Sequence, residues 1–247
     1  GVEVKTRVSK ASDEVASLLS LATTNHLDHG IGQALDDLRN LGLTPTEMGA
    51  DFLVLAAHVH AADTRISRAT ESQDGWTREI RLVIPVSDPA RWTCAVPILM
   101  RALNFLTGDK WNLGFRPRPK GFEKLVVHSK LNVTPFDGIS LFSGGLDSLI
   151  GAIDSLAASK IPLLVSHAGE GLVSKSQDRC FSGLKRAYPK SLVDRLRVWM
   201  NFESDLIRGV KSEDTTRGRS FLFFSLGVTA GTAFPAPFTF QVPENGL

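Results

Sequence analysis

The chain has 247 residues, 43% of them apolar and 22% charged, a composition typical of a globular protein with a sizeable hydrophobic core. Its 28 basic and 26 acidic residues leave a formal net charge of +2, so neither a nucleic-acid partner nor a membrane-surface role is expected. The two cysteines, Cys94 and Cys180, lack metal-ligand spacing and suit a reducing cytoplasm, and no apolar run is long enough to span a bilayer.

Residues 1–135 are predicted to form a smaller α+β accessory domain. Apolar spacings of three and four predict helices over residues 11–21, 33–41 and 45–62. Thr44 is the expected cap of the third helix, with Glu47 at its third helical position. The pattern then predicts a strand, an apolar helix and a second strand, over residues 78–86, 89–106 and 111–115. The expected buried face of that apolar helix consists of Trp92, Leu99, Leu103 and Leu106.

Residues 136–247 alternate strand and helix patterns after a connector punctuated by proline and glycine over residues 116–120 and 134–138. Strands are predicted over residues 139–142, 161–165, 196–200 and 237–242. Helices are predicted over residues 148–159, 175–187 and 220–233. This alternation predicts an α/β domain whose parallel sheet has helices on both faces, with ligands bound beyond the carboxyl ends of the strands.

One loop in this part carries the strongest chemical signal: Ser143-Gly144-Gly145-Leu146-Asp147-Ser148, between a strand and a helix. Adjacent glycines let backbone N–H groups converge on an anion, and the helix start adds free N–H donors. Ser143 and Ser148 are expected to donate hydroxyl hydrogen bonds to phosphate, and Asp147 to bind a Mg²⁺ ion that bridges to a nucleotide. The simpler alternative is a tight turn with a helix cap. The sequence has no Gly-Lys-Ser/Thr, which excludes a Walker-type loop.

Ser-Gly-Gly-x-Asp-Ser after a strand is the signature of the PP-loop, or N-type ATP pyrophosphatase, superfamily. Within it, the chain resembles the 7-cyano-7-deazaguanine synthase-like (QueC-like) proteins. These have Pro-Gly-Arg-Asn where this chain has Arg217-Gly218-Arg219-Ser220. Arg219 matches the family arginine, whereas Arg217 and Ser220 depart from the pattern. The resemblance implies nucleotide contacts from residues 143–148, Arg217 and Arg219, with Asp147, Ser148 and Arg219 as catalytic residues.

The N-terminal part resembles the extended QueC-like (QatC-type) proteins of the bacterial Qat anti-phage system. The segments that carry this likeness are residues 51–56, Ala62-Asp63 with Arg68, residues 111–118, and the closing Pro243-Glu244-Asn245-Gly246-Leu247. The family also implies zinc held by a C-terminal cysteine cluster, for which this sequence offers no ligands. We therefore expect the ATP-binding domain to be truncated at its C-terminus.

Other polar residues are weaker candidates for the nucleotide or substrate site. His167 follows a predicted strand, where the adenine or ribose of a nucleotide is expected, and Glu244 follows the last strand, where substrate or metal could bind. Arg219 lies at a helix start, where the dipole disfavours a cation unless an anion is bound. His58-Val59-His60 with Asp63 suggests a metal site, but residues two apart on a helix face different sides, so a structural role is favoured. His26 and His29 are expected in loops.

The resemblance implies an ATP-dependent ligase-like enzyme that adenylates a carboxylate of deazaguanine type and releases pyrophosphate. The activated acid then forms an amide or nitrile, or is conjugated to a protein partner in antiviral defence. An alternative is a nucleotide-sensing or scaffolding subunit of a defence complex without catalysis. A tRNA-modifying PP-loop enzyme is a third hypothesis, which the low net charge disfavours.

Overall fold

The structure is a computed structural model that describes residues 2–8, 15–19, 27–72, 74–128, 136–169, 171–207, 209–235 and 237–244, with only the backbone of the first two segments. His26, the predicted boundary at residue 135 and the last three residues lie outside these ranges. The chain forms two compact units. The first comprises Gly1–Gly32, Ala50–Leu125 and Asn201–Leu222, and the second comprises Gln33–Gly49, Val126–Met200 and Phe223–Leu247.

A four-stranded mixed sheet organises the first unit. Its strands are β1 (Val2–Val8), β2 (Val15–Leu19), β3 (Glu79–Val86) and β4 (Lys110–Pro117), in the order β2-β1-β3-β4. β1 is antiparallel to β2 and β3, and β3 is parallel to β4. The helix predicted over residues 11–21 is therefore wrong. A five-residue apolar segment has no decisive periodicity, and pairing with β1 makes it a strand.

Three helices accompany this sheet: α2 (Glu47–Arg65), α3 (Arg68–Glu71) and α4 (Pro89–Thr107). The predicted cap of α2 is wrong by two residues, because the hydroxyl of Thr46 rather than Thr44 accepts the N–H of Gly49, at 3.1 Å. α4 is the predicted crossover between the parallel strands. It begins at Pro89 with Asp88 as cap and ends at Gly108, whose φ of 76° is left-handed. Of its four expected core residues, Trp92 and Leu103 are buried and the two others are half-buried.

The second unit contains the predicted parallel sheet. Its strands are β5 (Gly138–Leu141), β6 (Pro162–His167), β7 (Arg195–Val198) and β8 (Thr239–Gln241), in the order β7-β6-β5-β8, and all neighbours are parallel. Its helices are α1 (Ile31–Asn40), α5 (Leu146–Ala157), α6 (Leu172–Ala187) and α7 (Arg219–Gly231); the first residues of α1 and α7 belong to the first unit. The sequence thus predicted the α/β class and the sheet direction correctly.

Helices pack on both faces of the parallel sheet. On one face, Phe142 and Leu164 form a core with Leu156 of α5 and Leu184 of α6. On the other face lies α7, so close that a Cβ atom at Gly227 would be 3.0 Å from a methyl of Leu141. The strand order reverses between β5 and β8, because β6 and β7 follow on one side of β5 and β8 lies on the other. Such a reversal opens a crevice at the carboxyl ends of the strands.

Candidate functional site

The predicted phosphate loop lies at the carboxyl end of β5. The chain leaves the sheet at Phe142, turns through Ser143, Gly144 and Gly145, and enters α5 at Leu146. Gly145 is the N-cap residue, with φ −85° and ψ 174°, and no side chain caps the helix. The strand–loop–helix order predicted from the sequence is therefore present, at the edge of the sheet where ligands bind in this class of fold.

Inside the loop, the two serine hydroxyls form a chain of hydrogen bonds. The N–H of Gly145 donates to Ser143 Oγ at 3.3 Å, and the Ser143 hydroxyl donates to Ser148 Oγ at 3.2 Å. The Ser148 hydroxyl donates to the carbonyl of Gly145 at 2.9 Å and accepts the N–H of Gly144 at 3.1 Å. Each hydroxyl has one proton and accepts at least one other, so all four bonds form together. Buried Ser148 thus fixes the shape of the loop.

Helix α6 holds the loop from one side. Ser176 Oγ donates to the carbonyl of Gly144 at 2.6 Å, and Gln177 Nε2 donates to the carbonyls of Ser143 and His167 at 3.4 and 3.1 Å. Gly144 has a left-handed φ of 80°, and a Cβ atom there would lie 2.8 Å from the backbone nitrogen of Gln177. Glycine is therefore required at this position by both conformation and packing.

Ser176 and Gln177 were not among the site residues predicted from the sequence. Gln177 is buried, and it occupies a position on the inward face of α6 four residues after Val173 and seven before Leu184. A long polar side chain at an otherwise apolar helical spacing is the signal that could have indicated it, because a buried amide must find hydrogen-bond partners.

The outer part of the loop faces solvent. Ser143 and Gly145 are exposed, Leu146 is 71% exposed, and Asp147 in the first turn of α5 is half-buried. Within the described ranges, the N–H groups of Leu146 and Asp147 donate to no backbone or side-chain acceptor. Free N–H groups at a helix start favour an anion through both hydrogen bonding and the helix dipole. No side chain caps the helix at Gly145, and the N–H groups of Gly144 and Gly145 are bonded to serine hydroxyls within the loop.

Two other predicted residues lie at the same edge of the sheet. His167 ends β6, but its side chain is buried, so its backbone carbonyl, bonded to Gln177, is its clearest contact. Glu244 is exposed, three residues after β8 ends at Gln241. The loop, His167 and Glu244 therefore share the carboxyl edge of the parallel sheet, and only the loop and Glu244 expose polar groups there.

The two predicted arginines belong to the first unit, whereas the loop belongs to the second. Arg217 donates from Nη1 to the carbonyl of Thr107 at 3.0 Å, and its guanidinium lies 5.4 Å from the ring centre of Trp76. Arg219 is the first residue of α7 and is half-buried. The described contacts of Arg217 are thus structural, and a phosphate contact from either arginine stays a prediction from the family resemblance.

A buried ion network holds residues 213–218, the segment that contains Arg217 and leads into α7. Arg78, fully buried, donates to Asp63 Oδ1 at 2.6 Å and to Asp109 Oδ2 at 2.5 Å. Burial alone would raise the pKa of Asp109, but the hydrogen bonds and charge of Arg78 outweigh it and hold that pKa below its usual value. The second oxygen of Asp63 accepts the N–H of Gly218 at 2.8 Å, and Arg68 bonds to Glu213 at 3.1 Å.

The segments that carried the resemblance to extended QueC-like proteins therefore have structural partners. Besides Asp63 and Arg68, Asp51 is completely buried and accepts hydrogen bonds from Ser87, Trp92 and Arg118. A buried carboxylate is tolerated only with such partners. These contacts explain why the residue types occur where they do within the first unit, and they require no ligand.

The histidine pair on α2 is also structural. His58 is buried, its Nδ1 lies 2.6 Å from the carbonyl of Val54, and burial lowers its pKa to about 4. Burial likewise lowers the pKa of His60 to about 4, and the His60 ring packs on Phe202. His29 also packs on Phe202. Among the residues that the structure describes, no group of three His, Cys, Asp or Glu side chains could hold a metal ion.

Two cavities of about 310 and 400 Å³ lie elsewhere in the second unit. They share Ser155, Lys160 and Gln241, and they extend from the amino ends of β5, β6 and β8 along α5. Neither is lined by a residue of the loop. These two pockets are therefore not part of the candidate nucleotide site.

Comparison with known proteins gives no match for this chain. No protein-family model, curated protein or solved structure is similar enough to assign it to a family. In the part of the chain that the structure describes, no helix has the length and apolar character needed to cross a membrane.

Proposed function

We propose that the exposed part of the loop at residues 143–148 binds the phosphates of ATP and that the protein adenylates a carboxylate with release of pyrophosphate. One observation supports this most directly: an exposed helix start with free N–H groups follows the strand at which the order of a parallel sheet reverses. The donors are the N–H groups of Leu146 and Asp147. The N–H of Gly145 becomes a third donor when the exposed Ser143 hydroxyl, which accepts it in the structure, rotates away. Gly144 N–H is buried and bonded to Ser148, so it does not contact phosphate in this proposal.

Mg²⁺ fits this surface, because it usually takes one or two carboxylates and completes its coordination with phosphates and water. Asp147, in the first turn of α5, is the carboxylate proposed to hold it, and the ion would neutralise charge on the phosphates. Free N–H groups stabilise the departing pyrophosphate in the same way, since phosphoryl and nucleotidyl transfer depend on positioning and electrostatics.

The substrate class is proposed from the resemblance to QueC-like proteins: a small carboxylate, of deazaguanine type, converted to an amide or nitrile or joined to a protein partner in antiviral defence. A nucleotide-sensing subunit is the second candidate. The observation that favours it is the closed hydrogen-bond chain of the loop, which keeps its shape without any nucleotide contact. The zinc of the family is not proposed for this chain.

The experiment compares Asp147→Asn with Asp154→Asn, the same change two turns further along α5 at an exposed position. ATP binding is measured by calorimetry with and without Mg²⁺, and AMP and pyrophosphate are measured with radiolabelled ATP and a panel of carboxylates. We expect Asp147→Asn to weaken Mg²⁺-dependent binding at least about tenfold, and Asp154→Asn to match the wild type. Binding without turnover under every condition supports the sensor. Equal ATP affinity for both variants contradicts the proposed site.

A further inference from the structure

Basic residues are concentrated on α6 and the neighbouring edge strand β7. Residues 172–200 contain seven of the 28 basic residues but only two of the 26 acidic ones, so the rest of the chain is slightly acidic. The low net charge of the whole sequence therefore hides a local excess of positive charge. A concentration of this kind attracts polyanions even when the total charge is small.

One side of α6 forms an exposed stripe. Its members follow spacings of three and four, and all are exposed: Leu172, Lys175, Arg179, Ser182 and Arg186. Residues at these spacings lie along one line of a helix. The stripe has three cations, no carboxylate and a single large apolar side chain. It therefore offers charge to a partner but too little apolar surface to enter a membrane.

The edge strand continues this surface. Arg195, Arg197 and Trp199 alternate with buried residues along β7 and just after it, so they share one side of the strand. Both arginines bond to one carboxylate, Asp178, with Arg197 at 2.8 Å. Arg195 also lies over the ring of Phe181, at 4.5 Å. One carboxylate cannot balance two guanidinium groups, so this pair remains net positive.

The surface ends at the edge of the sheet that carries the loop. Trp199 follows the carboxyl end of β7 and is 46% exposed. β7 is two strands from β5 in a parallel sheet, and adjacent strands are about 4.8 Å apart, so the ends of β7 and β5 are separated by about 10 Å. Polymer bound along α6 and β7 would therefore reach the neighbourhood of residues 143–148.

We propose that this basic surface, defined by Lys175, Arg179, Arg186, Arg197 and Trp199, binds single-stranded nucleic acid. Proteins that bind single strands combine a positive track for the phosphates with aromatic side chains on which bases stack. The cations of α6 and β7 supply the track, and the exposed indole supplies the stacking platform. An acidic protein segment would use the cations but has no need of the indole, so Trp199 distinguishes the two partners.

The test uses the full chain and fluorescently labelled 20-nucleotide RNA and DNA strands, followed by anisotropy at several salt concentrations. The charge variant is K175A/R179A/R186A. Its matched control removes the same charge from exposed positions of the first unit, in R91A/R101A/K120A. Because each lost phosphate contact lowers the dependence of log K on log salt by about 0.7, we expect the charge variant to lower that slope by about 2. The control should keep the slope of the wild type.

The aromatic variant is Trp199→Ala, with exposed Trp76→Ala as its control. We expect about a 5- to 150-fold loss of affinity for Trp199→Ala, the range for removing one stacked base contact, and no loss for Trp76→Ala. Asp147→Asn should retain full binding, which separates this proposal from the nucleotide site. Absence of binding at low salt overturns the proposal. Equal losses of affinity in the variants and their controls would also overturn it. So would polyglutamate that displaces the labelled strand as well as unlabelled nucleic acid does.

Discussion

The two adjacent glycines of the loop allow a matched test of its geometry by the same substitution. At Gly144, φ is 80° and an added Cβ would lie 2.8 Å from the backbone nitrogen of Gln177 and 2.9 Å from its Cα. At Gly145, φ is −85° and the nearest atom to an added Cβ is Ser143 Oγ, at 3.4 Å. Gly144→Ala must therefore move the backbone of α6, whereas Gly145→Ala meets an ordinary contact.

The expected free energies of unfolding differ accordingly. A left-handed alanine costs roughly 1–2 kcal/mol, and forcing a methyl group against packed backbone adds roughly 1–3 kcal/mol. Gly144→Ala should therefore destabilise the second unit by roughly 2–5 kcal/mol. Gly145→Ala restricts the unfolded chain without strain in the folded one, but alanine is a poorer N-cap than glycine, so the stability should change by no more than about 1 kcal/mol in either direction.

Urea unfolding followed by circular dichroism measures this difference, and hydrogen exchange of peptides from α5 and α6 reports the second unit separately. We expect Gly144→Ala to lose protection in α6, where Ser176 and Gln177 contact the loop. Equal stability and equal protection in the two variants would refute the loop conformation described above, and with it the geometric basis of the proposed nucleotide site.

Three further substitutions test the buried polar groups. Arg78→Met leaves Asp63 and Asp109 buried with less positive charge, so urea unfolding should show a loss of about 3–5 kcal/mol. The pKa of His58 is about 4 in the folded chain and near 6.5 when unfolded, so its protonation favours unfolding as pH falls below 6.5. This costs about 1.4 kcal/mol by pH 5.5, and His58→Leu should remove that part of the pH dependence of thermal unfolding. Ser148→Ala leaves the buried Gly144 N–H without its acceptor, so calorimetry should show a loss of about 1–3 kcal/mol.

Each of these has an exposed control of the same residue type: Arg81→Met on the same strand, His128→Leu, and Ser182→Ala on α6. Loss of stability in Arg81→Met equal to that in Arg78→Met would contradict the ion network. An unchanged pH dependence in His58→Leu would show that the buried ring does not control acid stability. Full stability of Ser148→Ala would show that the hydroxyl does not hold the loop.

Local pattern in the sequence was enough to predict the parallel sheet and the loop between β5 and α5. The central strands β5 and β6 are mostly apolar, and each helix repeats at spacings of three and four, so these signals need no knowledge of distant residues. The same reasoning failed over residues 11–21. There the apolar segment is too short to distinguish helix from strand, and pairing with β1 decides its conformation.

The roles of individual polar residues depended on the tertiary structure. Asp51 and Asp63 looked like family markers, but distant arginines and backbone groups make them buried structural carboxylates. Nothing local to the loop indicated that Gln177 would hold it. The distribution of charge also depended on the fold. The net charge of the sequence does not show where the charged residues lie, whereas the folded chain brings the cations of α6 and β7 onto one surface. Periodicity is a property of neighbours in the chain, and so the sequence alone determined the strands and helices of the parallel-sheet unit. Hydrogen-bond partners and electrostatic fields depend on distance in space, which only the folded chain sets.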